Sequence, residues 1–73
     1  MKQDKYSGYW KIKGVNIYYK VFGQTFPRWR RVILYKRIMH HNFEEISGTE
    51  TVDFLRLYCE KITEKEFKYA TGR

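Results

Sequence analysis

The chain has 73 residues, fifteen Lys and Arg against eight Asp and Glu (net charge +7), 19% aromatic residues and a single alanine, Ala70. That length makes one small domain, residues 1–73, with stretches 1–5 and 68–73 expected as flexible tails. The composition excludes a disordered chain and an Ala- and Leu-built helical bundle, while the lone Cys59 excludes an internal disulfide or a zinc cluster.

In chain order, Tyr9-Trp10-Lys11-Ile12-Lys13 alternates, with Trp10 and Ile12 on one face of a strand. Residues 16–22 alternate again and place Ile17, Tyr19 and Val21 together. Between them, Gly14-Val15 suits a two-residue type II′ turn, in which Gly comes first because it tolerates positive φ. That turn sets Trp10 opposite Tyr19, Lys11 opposite Tyr18, Tyr9 opposite Lys20 and Ile12 opposite Ile17, so apolar meets apolar and basic meets aromatic.

Residues 23–27 contain Gly23 and Pro27 and read as a loop. Residues 28–38 are long and β-rich enough for a third strand, with Val32, Leu34 and Ile38 toward the core. Trp29, Arg31, Ile33, Tyr35 and Arg37 then share the opposite face. Residues 39–46 are compatible with a loop, a helical turn or a short fourth strand. Ser47-Gly48-Thr49-Glu50 has the form of a capping box, and Val52, Phe54, Leu55, Tyr58, Cys59 and Ile62 fall on one helical arc. A helix over residues 48–62, or on to 67, follows. The expected fold is α+β: a three-stranded antiparallel sheet, with a possible short fourth strand, and one C-terminal helix packed on one face.

Charge is segregated along the chain. Residues 1–41 carry ten Lys and Arg and one acid, Asp4; residues 42–73 carry five Lys and Arg and seven acids. A stretch of one sign makes a one-sided field suited to a polyanion or an acidic protein surface. The sheet face away from the helix would be open and would interleave rings with cations. Its candidate partner-binding residues are Lys11, Tyr18, Lys20, Tyr35 and Arg37, with Arg28, Trp29, Arg30 and Arg31 as the densest basic cluster. Rings stack on bases and cations neutralise phosphates, yet Tyr, Trp and Arg also anchor protein interfaces. A protein partner is weighed first, nucleic acid second, and a merely solvated sheet third.

Catalytic chemistry finds little support. His40-His41-Asn42 supplies two imidazoles, with Glu44 and Glu45 the only carboxylates close in sequence, whereas zinc wants three or four ligands. Cys59 sits on the apolar helical arc without a neighbouring base. No catalytic residue, metal or cofactor is expected, and the chain reads as a non-enzyme. It has neither an apolar run of about 20 residues nor an apolar signal region, so the cytoplasm is expected and a membrane partner is not.

In its length, its initiator Met1, its basic sheet and its lack of a catalytic signature, the chain resembles the small early transcription regulators of lytic phages. The antitermination proteins of Xanthomonas phages belong to that group. The resemblance implies binding to the core of bacterial RNA polymerase in the host cytoplasm, inhibition of promoter-directed initiation and readthrough of terminators. It assigns no role to any single residue, and the free protein is expected as a monomer. From Tyr9 to Ile62 the order of elements is also similar to the three-strand-plus-helix DNA-binding domains of some integrases. That likeness implies the alternative, a DNA- or RNA-binding module acting through its basic-aromatic sheet.

Overall fold

A computed structural model describes residues 5–40 and 42–72, with the side chains of 24–26 set aside. The elements are β1 (Gly8–Ile12), β2 (Ile17–Phe26), β3 (Trp29–Met39), β4 (Asn42–Thr51), α1 (Val52–Tyr58), β5 (Cys59–Ile62) and α2 (Glu64–Thr71). The strands form one antiparallel sheet in the order β4-β3-β2-β1-β5. The first four make a meander, and the last returns to lie beside the first. The fold is α+β, with five strands and two helices where three strands, a possible short fourth and one helix were expected.

The β1–β2 hairpin has the anticipated register, with Tyr9, Trp10 and Lys11 opposite Lys20, Tyr19 and Tyr18. Its turn differs. The Val15 N–H donates to the Ile12 carbonyl (3.4 Å), so Gly14, at φ 82°, is the third residue of that turn rather than the first of a two-residue loop. Cross-strand packing sets this register, and the loop accommodates it. Residues 23–26 are not a loop either. β2 runs to Phe26 through register shifts after Phe22 and Gln24, and Gly23 at φ 73° makes the first of them possible.

The larger correction is the C-terminal half. Residues 47–50 are β4, not a helix start: Glu50 accepts from the Tyr19 hydroxyl (3.2 Å) and from the Thr51 N–H (3.0 Å). The cap of α1 is Thr51, whose hydroxyl accepts from the Phe54 N–H (3.1 Å). α1 ends at Tyr58 because residues 59–62 turn extended and pair with the free side of β1, Cys59 opposite Ile12 and Ile62 opposite Tyr9. Thr63 then caps a second helix, accepting from the Glu66 N–H (3.1 Å). Residues 68–72, expected as tail, form the end of α2 and its Gly72 cap, and Thr71 is buried. Of the expected tails, residues 1–4 and Arg73 lie outside the described residues, as does His41.

Two cores result, one on each face of the sheet. On the first face, Trp10, Tyr19, Val21 and Val32 pack under Leu55 and Cys59, with Ile12, Ile17, Leu34 and Phe54 partly buried beside them. This is the face that sequence alternation had assigned to the helix. Ile38 is the exception: it lies beyond the reach of α1 and is exposed. On the second face, Tyr18, Tyr35 and Phe67 form an aromatic core flanked by Tyr9, Ile33, Phe43 and Ile62.

Candidate functional site on the second sheet face

The second face was expected to be open, and α2 covers half of it. The Phe67 ring lies 4.5 Å from that of Tyr9, 5.0 Å from Tyr35 and 6.2 Å from Tyr18. Tyr18 and Tyr35 are therefore 6% and 7% exposed and present no ring to a partner. α2 is a short, mostly charged and polar helix, and its one buried ring, Phe67, covers the rings that the sequence left open.

The nine candidate residues do not form one surface. Lys11 is half-buried, its Nζ donating to the Ile12 carbonyl (3.2 Å). Arg30 alternates onto the first face and is buried, its Nη1 donating to the carbonyls of Trp29 (3.1 Å) and Pro27 (3.3 Å). Its guanidinium lies over the Tyr6 ring at 5.2 Å. Arg37 sits at the far end of β3, where its Nη2 and His40 Nδ1 are 3.1 Å apart. The remaining four, Lys20, Arg28, Trp29 and Arg31, gather near the uncovered end of the second face, all of them exposed.

There the sheet forms a groove of about 450 Å³ lined by Phe22, Arg31, Val32, Ile33, Ser47, Gly48 and Thr49. The register explains the composition. Thr49, Arg31 and Phe22 are successive cross-strand neighbours, and Ser47, Ile33 and Lys20 form the adjoining row. The Arg31 guanidinium lies 5.5 Å from the centre of the Phe22 ring, a cation over an aromatic face. The floor is thus apolar, the two cations stand beside it, and two hydroxyls edge it. Trp29, 41% exposed, and Arg28 extend the site at the β2–β3 turn.

Acids of the second half stand beside part of the basic half, Arg28 of this site included, but not beside Lys20 or Arg31. Glu44 stands opposite Lys36 and Glu50 opposite Arg30 across β3 and β4. Arg28 is 3.9 Å from Asp53, which also accepts from Arg56 at 3.0 Å. Among the described residues no carboxylate lies within ion-pair distance of Lys20 or Arg31.

Phe22, Ser47, Gly48 and Thr49 belong to this site and escaped the sequence reading. Phe22 was legible, since it alternates onto the face of Lys20. The other three were hidden because their spacing imitated a capping box. Cys59 is buried in the first core; desolvation, helped by the Glu50 charge, pushes its thiol up to about 11, away from the thiolate a nucleophile needs. Among the described residues no helix is long and apolar enough to cross a membrane. No family model, no curated protein and no solved structure matches this chain.

Proposed function

We propose that this chain is a non-catalytic binding module whose groove takes a polyanion, specifically single-stranded nucleic acid. The observation that carries this reading is the pair Lys20 and Arg31, exposed beside an apolar floor with no carboxylate partner among the described residues. A single strand offers what such a site can use: phosphates for the cations and flat bases for Phe22 and Trp29. Burial of Tyr18 and Tyr35 also removes two of the rings that had favoured a protein partner over a phosphate binder.

The test is a fluorescence titration of a labelled twelve-nucleotide single strand at increasing salt. With Lys20, Arg28 and Arg31 each neutralising one phosphate, log affinity falls against log salt with a slope near −2, about 20-fold between about 50 and 200 mM. Arg31→Gln shortens the slope by about 0.7, and Arg37→Gln leaves it unchanged. Absence of binding at low salt, or indifference to Arg31, overturns the reading.

A second reading has its own observation. Trp29 is a large ring left exposed beside Arg28, and Trp and Arg are favoured anchors at protein interfaces. On that reading the groove docks on bacterial RNA polymerase core, and the protein inhibits initiation and promotes antitermination. Retention of polymerase after nuclease treatment, lost in Trp29→Ala and only weakly salt-dependent, selects it.

A further inference from the structure

The two edges of the sheet are unequal. β5 is four residues long, is bracketed by both helices, and carries Lys61, whose Nζ donates to the Lys5 carbonyl. β4 is ten residues long, and seven of its residues, Asn42 and Glu44 to Thr49, are exposed, while Phe43, Glu50 and Thr51 are half-buried. Natural edge strands are blunted by charged side chains, lysine above all, or by prolines, bulges or brevity, and the only charges on β4 are Glu44, Glu45 and Glu50. β4 has no Lys, Arg or Pro, and its only register shift lies at its start, between Arg37 and Met39 on β3. Ile46, on the first face opposite Leu34, is 43% exposed.

We propose that β4 pairs antiparallel with β4 of a second copy, about a two-fold axis through Ile46, to give one continuous ten-stranded sheet. The register follows from side chains alone. Opposed residues must share a face, so partners differ by an even number of positions. Two registers then keep all but one residue of β4 paired. Centring on Ser47 sets Glu44 opposite Glu50 twice, like charge against like. Centring on Ile46 sets Ile46 on Ile46, Glu45 opposite Ser47, Glu50 opposite Asn42, Glu44 opposite Gly48 and Phe43 opposite Thr49. Two of the carboxylates then face a hydrogen-bond donor, the third faces a glycine with open space around it, and the exposed isoleucine is buried against itself. The contact is isologous and closes, so it ends at the dimer.

A two-fold axis normal to the sheet leaves both second faces on the same side. The two grooves then lie diagonally across the seam, with the Arg31 positions three strand spacings apart across the sheet and six residues apart along it, about 24 Å. A dimer offers one strand two cationic stations and the avidity that goes with them.

Sedimentation equilibrium and cysteine cross-linking test this. The native chain should sediment at twice its 9.0 kDa at protein concentrations up to about 500 µM. Ile46→Lys should sediment at 9.0 kDa with an unchanged circular dichroism spectrum, because the side chain is already half exposed. Under mild oxidation Ile46→Cys should cross-link at least about tenfold faster than Ser47→Cys, since only residues at the axis bring their Cβ atoms within disulfide range. Cys59 is buried and stays out of the exchange. A native chain that remains at 9.0 kDa throughout overturns the proposal. So does faster cross-linking at Ser47→Cys, or a dimer that Ile46→Lys leaves intact.

Discussion

The two faces of this sheet are covered in different ways. On the first, α1 is held at both ends by strands, and its Leu55 and Cys59 close a core that mixes Val21 and Val32 with Trp10 and Tyr19. On the second, α2 is joined to β5 through Thr63 with no described strand after it, and it closes a core of rings with Phe67 at the centre. A helix between two strands cannot leave without taking β5 from β1. A helix that no described strand follows can lift away and leave the sheet paired. The first core should therefore report global stability, and the second a local equilibrium between a covered and an uncovered aromatic face.

Phe67→Ala is the sharpest way to break that contrast. It should cost about 3–5 kcal/mol, with amide exchange accelerated over Glu64–Thr71 while the β2–β3 ladder stays protected. Uniform acceleration across the sheet would show that α2 is part of one cooperative unit. Leu55→Ala, at the only fully buried large side chain among the described residues, should cost about 2–5 kcal/mol. Here exchange should rise everywhere at once, and urea unfolding should keep a single transition.

Alkaline pH loads the first core. Burial, with the Glu50 charge second, raises the Cys59 thiol from 9.0 to about 11 and pushes the Tyr19 hydroxyl above its ordinary range. Below pH 9 both states hold the thiol proton and stability is at its full value. From pH 9 toward 11 the unfolded chain releases a proton that the fold retains, so stability falls as pH rises. Urea midpoints between pH 8 and 11 should decline, and Cys59→Ala should flatten the earlier part of that decline.

Smaller effects sharpen the comparison at the helix starts. Thr51→Ala and Thr63→Ala each remove a hydroxyl that accepts a first-turn N–H and should each cost about 1 kcal/mol. The Thr51 loss should appear in global urea unfolding, and the Thr63 loss in α2 exchange. The Lys68–Glu64 pair (3.1 Å) lies on an exposed helix surface, and Lys68→Ala should cost only about 0.3–0.5 kcal/mol in the same exchange experiment.

Much of the first face was legible in the sequence. Period-two alternation is a backbone property, so Trp10, Ile12, Ile17, Tyr19, Val21, Val32 and Leu34 declared their common side without any tertiary knowledge. The hairpin register followed from the same residues, even though the turn type did not. Of the site, Lys20, Arg28, Trp29 and Arg31 were found because cations and rings on one strand face are visible as spacing. Three things were decided only in three dimensions. Residues 47–62 carry spacings that suit a helix, and the hydrogen bonds on offer along β1 and β3 outweighed that preference. Tyr18 and Tyr35 have the same alternation whether water, a partner or α2 lies over them, and Phe67, 32 residues beyond Tyr35, took the place. Charge segregated along the chain became opposite charge facing across the β3–β4 register, leaving Lys20 and Arg31 as the cations beside the groove. Local sequence dictates which way each side chain points, because that depends on neighbouring dihedrals. What it points at depends on which distant segment arrives there, and only the packed chain contains that information.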